Sequence, residues 1–474
     1  MLPSYEAEKH NVVERSKKAL RSKVERVGGT LFTLERPIVT GEDAERAAQV
    51  FKQASADLVV LQASTFAMGD VVLPLAKVGN RLCLWAPSEP RKDGPIPLNG
   101  FVAMHLHAGI LAKSLADPAL RYSWIFGDID TPLFDARIDV LLEGLAGVKA
   151  MEHTHVGRIG DVAPSFFNLT SDAVELQGRT GVTTKHLSLE ATIQEATSIN
   201  DSPPDSDEEN ALETAFQQAT SFAPVEGLSD SDVRANMAVY QALKNTANTH
   251  NLQALAVRDW PEFQDELHLH PGMAFSWLDQ HDGIPVAAEA DVGGAVSMVL
   301  LRAVSRQPAM LLDVNDMDHE RDALLTWHCG GSPLAIADSR GVRWTPHTTL
   351  GRGNERPMGA VADLVFRPGP VTLARIGRDG ASWFVVEGEV IDSPHAGFDG
   401  SRGWIGAFRS DSTKLSASDV IETLMANGVE HHLALVPGHH AEAVRSAAWW
   451  LGAQVIGFEH YSAAPSTSTP QSQN

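Results

Sequence analysis

The chain changes rhythm part-way along, and that change limits its fold more than any single motif. After Gly28-Gly29 short apolar runs alternate with helical stretches. T-L-F-T-L (30–34), A-D-L-V-V-L-Q (56–62), R-L-C-L-W-A (81–86), Tyr122–Phe126 and L-Q-A-L-A-V (252–257) read as strands. Helices are expected near Thr40, over Gly69–Lys77 and from residue 131 to about Leu145. Strands separated by helices pair in parallel, because the chain must cross back over the sheet before running the same way again. Beyond residue 340 the alternation stops. V-A-D-L-V-F-R (361–367), V-T-L-A-R-I-G (371–377), S-W-F-V-V-E-G-E-V-I (382–391) and G-W-I-G-A-F-R (403–409) follow one another without helices, which predicts an antiparallel barrel or sandwich. A helix Ser416–Asn427 with Gly428 past its end, a strand after His431-His432, a helix Glu442–Leu451 and a strand Gln454–Phe458 complete that part. The expected fold is α/β: two flavodoxin-like parallel-sheet α/β domains, then an antiparallel β-barrel-like C-terminal domain.

The expected boundaries are an N-terminal, solvent-facing helix within 1–28, α/β domain 1 over 29–145, α/β domain 2 over 146–312, a C-terminal β domain over 313–461 and a disordered Ser/Thr/Pro/Gln-rich tail over 462–474. Alternation through Val148–Val156 predicts a strand with His153 and His155 on one face, and Gly157-Arg158-Ile159-Gly160 a tight turn after it. Acids and two prolines between 196 and 210 predict a solvated loop. Thr40 and Ser229 are placed to cap helices.

A chain of 474 residues is too long for one core. Its net charge of −22 argues against a nucleic-acid partner. No run of 18 apolar residues suggests a membrane span, and the first residues hold no apolar signal segment. Two cysteines, Cys83 and Cys329, fit a reducing compartment, so a cytoplasmic location is expected. No G-x-G-x-x-G opens a helix, so a dinucleotide site has no support.

Chemistry concentrates between Ile284 and Pro333. Glu289 lies in a small-residue run, Asp313 ends the apolar A-M-L-L, and His328 precedes Cys329-Gly330-Gly331, a turn that lets backbone approach a ligand. Asp313 reads as a carboxylate delivered to the C-terminal edge of a buried strand. Two carboxylates and an imidazole suit Mn²⁺, Mg²⁺ or Co²⁺. Taken singly, Asp313 reads more readily as a cap or an ion-pair partner and His328 as a half-buried histidine. His431-His432 is a fourth piece; strand alternation sends the two to opposite faces, so one of them is expected to point inward, and His439-His440 compete. Glu89, Asn99 and His105 fall at a sheet edge where open α/β sheets gather ligands, with ordinary turn chemistry as the alternative. Arg158, between two glycines, can meet an anion or a sugar hydroxyl or serve only the turn.

The run A-E-A-D-V-G-G-A-V-S-M, the aspartate after P-A-M-L-L, W-H-C-G-G-S-P and the late His pair resemble the L-fucose isomerase / L-arabinose isomerase superfamily. The resemblance implies an aldose–ketose isomerase, an intramolecular oxidoreductase dependent on a divalent ion, with manganese first and Mg²⁺ or Co²⁺ as alternatives. It would interconvert a free or anionic-substituted aldose and its 2-ketose through a metal-bound cis-enediol. Glu289 and Asp313 would be the acid–base pair and metal ligands, with His328 and His431 or His432 completing the set. Glu89, Asn99, His105, Arg158 and Trp327 would contact substrate. The family's Asn-Ser-Leu-Cys-Gly is replaced by Asn99-Gly100-Phe101-Val102-Ala103, and Asp259 in Arg258-Asp259-Trp260-Pro261 stands where a cysteine is common. Relatives form hexamers in which the first domain completes a neighbour's site, so a homo-oligomer is expected. Members act on deoxyhexoses and pentoses, and some relatives on sulfonated sugars such as sulfoquinovose; Arg158, Arg258 and His105 would meet an anionic C6 group. Two other classes remain at this point: a metal-dependent hydrolase, hinted at by His153-Thr154-His155, and a non-catalytic sugar-binding protein. Bound metal and ketose formation separate them.

Overall fold

The computed structural model describes residues 5–78, 81–114, 120–129, 131–350, 358–393 and 395–461. The tail expected to be disordered, from Ser462, lies outside the described residues. The chain divides into two compact units, Met1–Ala146 and Gly147–Asn474.

The first unit starts with α1 (Val12–Arg26), whose thin buried stripe is Val12, Ser16 and Leu20. Its basic end pairs with acids of its own unit, Lys23 Nζ lying 2.7 Å from Asp135 and 3.2 Å from Asp139. Helix α2 (Gly41–Gln53) begins at Thr40, whose side chain accepts the Asp43 N–H while the Asp43 carboxylate accepts the Thr40 N–H. Strands β1 (Val59–Gln62), β2 (Arg81–Ala86) and β3 (Arg121–Phe126) pair in parallel in that order, with α3 (Val72–Ala76) and α4 (Gly100–Ser114) between them. The run 30–34 is not a strand. It finds no neighbouring ladder, and Phe32 stays exposed, so the apolar composition buries little.

Helix α5 (Pro132–Glu152) runs past Leu145 through the residues expected to form a strand. Val148 and Met151, three apart, are both buried on one helical face, which explains the misread alternation. The strand β4 is His155–Ile159; Gly157, Arg158 and Ile159 therefore lie in the sheet, only Gly160 turns with φ 80°, and His153 sits in the turn before the strand. Helix α6 (Ala173–Thr180), β5 (Thr183–Leu187), α7 (Leu189–Asn200), α8 (Asp207–Phe222) and α9 (Asp230–His250) follow. The acidic segment expected as a loop is mostly helix. Asp207, Glu208 and Glu209 occupy the first turn of α8, where negative charge favours the helix, and Leu212, Ala215 and Ala219 make its buried stripe. Ser229 caps α9 with Asp232 reciprocating. Strands β6 (Ala254–Val257) and β7 (Val286–Ala287), with α10 (Glu262–Leu267) and α11 (Gly272–Asp282) between, complete a parallel sheet in the order β5-β4-β6-β7.

After α12 (Val292–Ser305) the chain enters an antiparallel barrel. The sheet that contains it holds β8 (Met310–Asp318), β9 (Ala323–His328), β10 (Ala337–Pro346), β11 (Gly359–Phe366), β12 (Gly369–Ile376), β13 (Ser382–Ile391), β14 (Ser401–Ser410), the two-residue β15 (Thr413–Lys414), β16 (Leu433–Pro437) and β17 (Gln454–Val455), of which β11 and β17 pair in parallel with β14 and β13. The path β14-β9-β8-β16-β12-β13 closes on itself through β13–β14 pairing, giving a six-stranded ring. Helices α13 (Ala417–Ala426) and α14 (Ala441–Leu451) flank it. Asp313 is the fourth residue of β8 rather than its end, because pairing with β9 continues past it across a bulge between Val314 and Asp316. Strand β17 stops at Val455, short of Phe458, whose ring packs on Phe384 instead. One apolar core joins Ile159 and Val257 of the parallel sheet to Phe275, Leu312, Phe384 and Leu435, so sheet edge and barrel form one body within this unit. Among the described residues no helix is long and apolar enough to cross a membrane.

Candidate active site

The carboxyl ends of β4, β6 and β7 are where a parallel sheet of this order exposes ligand-binding loops. β7 lies in register with β6, Ala256 opposite Ala287, and the chain then turns through Ala288–Ala290. Glu289 has φ 60° and ψ 22°, and Ala290 has φ 56°. Such left-handed backbone costs about 1–3 kcal/mol per residue outside glycine and persists only where neighbours impose it. Here Asp259, from the loop after β6, accepts the Glu289 N–H at 2.8 Å.

The barrel supplies the facing wall. Asp313 pairs with Trp327 across β8 and β9, which places His328 next in line, and Leu312 pairs with Leu433, which brings His432 beside Asp313. His432 Nε2 lies 3.3 Å from Glu289 Oε2, 3.8 Å from Asp313 Oδ1 and 3.4 Å from His328 Nε2. His431 Nε2 is also 3.3 Å from Glu289 Oε2. Alternation does not separate the two histidines, because β16 begins only at Leu433 and both precede it. They differ in depth: His432 is 0 % exposed and His431 38 %. Glu289, His431 and His432 offer donor atoms within 4.8 Å of one another, as do Asp313, His328 and His432.

Each imidazole's second nitrogen assigns its proton. His432 Nδ1 lies 2.9 Å from Asp291 Oδ2, so Nδ1 carries hydrogen, and in the neutral ring the Nε2 lone pair faces Glu289 and Asp313. His328 is the reverse: its Nδ1 accepts the Gly330 N–H at 2.7 Å, which leaves hydrogen on Nε2, directed at the lone pair of His432. His431 Nδ1 accepts from the Asn168 amide at 2.9 Å and likewise presents an Nε2–H.

Asp291 is itself clamped. Both its oxygens meet the Arg375 guanidinium, it caps α12 through the Gly294 N–H at 2.9 Å, and all these side chains are buried. Arg375 reaches Glu430 at 3.4 Å as well. Burial would raise the Asp291 pKa, but the charge of Arg375 and the His432 hydrogen bond drive it far below the usual range. Burial would lower the His432 pKa; Asp291, with Asp313 and Glu289, outweighs that and raises it. In His328 burial wins and the pKa falls. Asp259, despite burial, is held below its ordinary value by His270 and the Glu289 N–H.

Other residues singled out in the sequence are placed as follows. Glu89 accepts the N–H groups of Leu98 and Asn99, at 2.9 and 2.6 Å, ahead of α4, so its carboxylate anchors that turn. Asn99 has φ 58° and its amide reaches Tyr5, while His105 is exposed on α4. All three belong to the first unit. Arg158 pairs with the exposed Asp161, and Arg258 with Glu262. Trp327 stacks beside His328 at 6.5 Å and donates its indole N–H to the Asp399 carbonyl. His439 faces Glu387 at 3.4 Å, and His440 N–H bonds Thr372. Phe166 makes edge contacts with Trp260 and with His431, ring centroids 5.4 Å apart in each pair.

Residues 327–459 match the family model described as L-fucose isomerase, C-terminal domain, a span that starts one residue before His328 and contains both late histidines. Over most of its length the chain is also similar to curated proteins named sulfoquinovose isomerase. That from Priestia megaterium is 25 % identical over 421 residues, 87 % of this chain and 88 % of the relative. That from Alkalicoccus urumqiensis is 27 % identical over 408 residues, 85 % and 86 % of the two chains. This chain is an L-fucose isomerase-like sugar isomerase. As an aldose–ketose isomerase it has to move a proton between adjacent carbons.

Sequence reasoning missed Asp291, Arg375, His270 and His347. Asp291 and Arg375 left a trace in the two glycines of A-D-V-G-G-A-V. A Cβ at Gly293 would stand 2.8 Å from Arg375 Nη2, and one at Gly294 2.5 Å from Asp291 Oδ2.

Proposed function

We propose that this chain is a divalent-metal-dependent isomerase of an anionic aldose of the sulfoquinovose kind, forming the 2-ketose. The observation that carries the metal is a pair of orphaned oxygens. Glu289 Oε2 and Asp313 Oδ1 are buried atoms with no well-formed hydrogen bond, and both face His432 Nε2, at 3.3 and 3.8 Å. Buried carboxylate oxygens without partners are costly, and a cation satisfies them together. Glu289, Asp313 and His432 would hold it, and their oxygen-rich set suits Mn²⁺, with Mg²⁺ or Co²⁺ as alternatives.

When bound, such an ion polarises the sugar's carbonyl and neighbouring hydroxyl and so acidifies the C–H bond that must break. The remaining work falls to the chain. Glu289 comes from the sheet edge and Asp313 from the barrel, so one can take the proton from C2 while the other, in its protonated form, donates a proton to C1; the O2 hydrogen passes to O1, and the ketose follows from the enediol. The Nε2–H groups of His328 and His431 donate to sugar oxygens and hold the carbon chain between the carboxylates. Phe166 packs edge-on against the half-exposed His431 and fixes its ring. Arg158 and Arg258, at the carboxyl edge of the parallel sheet, are the cations we assign to the anionic substituent. The same reading includes a cytoplasmic homo-oligomer, hexameric by resemblance, which sedimentation tests.

The decisive experiment incubates chelator-stripped and Mn²⁺-reloaded protein with sulfoquinovose, glucose, L-fucose and L-arabinose and detects ketose by NMR. The expected result is ketose from sulfoquinovose in the reloaded sample alone. Full turnover by the stripped sample, or no ketose from any sugar, overturns the reading.

A further inference from the structure

A second group of buried side chains adjoins this centre and has no part in the chemistry above. His270, Cys329 and His347 offer donor atoms within 4.8 Å of one another. Cys329 directly follows His328, and Asp259 joins the two places: one oxygen accepts the Glu289 N–H and the other lies 3.3 Å from His270 Nε2. Two imidazoles and a thiol would suit a soft metal by composition. The protonation pattern argues against it. His270 Nδ1 accepts the Gly272 N–H at 3.1 Å, and His347 Nδ1 accepts the N–H groups of Thr349 and Leu350 at 3.1 and 2.9 Å. A neutral imidazole that accepts at Nδ1 has its hydrogen on Nε2 and no lone pair left there for a metal. Both Nε2 atoms are buried; that of His270 faces the Asp259 carboxylate, and that of His347 makes no hydrogen bond. His347 is 7 % exposed and His270 0 %, so solvent does not satisfy them.

A buried donor left unmade, as at His347, is costly unless a ligand completes it. We propose that His347, supported by His270, is a specificity-determining residue that donates its Nε2–H to one neutral hydroxyl of the sugar chain, away from the carbons that react. The proposal rests on the isomerase reading. A hydroxyl fits better than the anionic substituent, because Asp259 stands beside His270 as a carboxylate and would repel an anion, whereas an O–H can accept from His347 and donate to Asp259. The two rings are close, with centroids 4.5 Å apart, so one oxygen can face both.

The test compares the aldose with analogues each lacking one hydroxyl at C3 or C4, in wild type, His347→Phe and His347→Gln. Wild type is expected to lose about 10- to 100-fold in kcat/KM on one of these analogues. In His347→Phe the parent sugar falls towards that analogue and the gap closes; in His347→Gln, which restores an N–H, part of the gap returns. Calorimetric titration with the corresponding alditols reads the same gap without turnover, and His347→Met serves if the phenylalanine variant does not fold. An equal loss on every analogue, as a merely structural role would give, overturns the proposal. So does an unchanged gap in His347→Phe, the result if these donors hold only water. Failure of the isomerase reading looks different: no ketose from any aldose in wild type, against normal ketose formation with the gap unmoved.

Discussion

Two clusters in the second unit look alike in composition and differ in one imidazole, that of His432, whose second nitrogen donates where the others accept. Around Glu289 and Asp313, His432 gives its Nδ1 hydrogen to Asp291 and turns a lone pair inward. Around Cys329, His270 and His347 both accept backbone N–H groups at Nδ1 and turn hydrogen inward. One arrangement asks for a cation and the other for an oxygen acceptor. Proximity of ligand-type residues therefore says little until the partners on their far side are known.

The largest effect that could break this contrast is metal removal. Chelation is expected to abolish activity and Mn²⁺ to restore it better than Ca²⁺, whose larger shell suits this small set poorly. Equilibrium dialysis should return one ion per chain; two would erase the difference between the clusters. Next in size, Glu289→Gln and Asp313→Asn should each lower kcat by about two to four orders of magnitude, with metal content measured alongside. The histidines sharpen the point within one cluster: His432→Gln should lose the ion, while His328→Gln keeps it and loses turnover. Retained metal in the first variant would reverse the assignment of protons.

Asp291→Asn should weaken metal binding by about 10- to 100-fold through its effect on His432. It also removes the charge that clamps the buried Arg375 and leaves it Glu430 alone, a loss of up to about 3–5 kcal/mol in stability measured by denaturant unfolding. Because Asp291 titrates lower in the folded chain than unfolded, its contribution is complete above about pH 3.9 and fades as pH falls towards the folded value. The variant's stability should therefore lose less on acidification than wild type does. The smallest effect is expected from Cys329→Ser, which should leave metal stoichiometry at the wild-type value; loss of an ion would show the thiol to be a ligand.

The architecture was readable where local signals agree with tertiary pairing. The parallel sheets and the barrel follow from the change in rhythm at residue 340, and Thr40 and Ser229 cap as their types require. Readings failed where a local pattern had two meanings. Val148 and Met151 satisfy a helix as well as a strand, and the acids after Asp205 favour a helix start as much as a loop. The run 30–34 has strand composition and no partner, and a strand without a ladder is not one.

By itself the sequence determined the fold class, the resemblance, and the residue types that could carry the chemistry, because hydrophobic period, caps and short motifs are properties of neighbours along the chain. Only the tertiary structure decided that Glu289, Asp313, His328, His431 and His432 share one centre, and which of their atoms face it. The orientation of His432 depends on Asp291, and that of Asp291 on Arg375, each far away along the chain. A hydrogen atom's place on an imidazole is set by whatever lies on its other side, and folding alone brings that partner there.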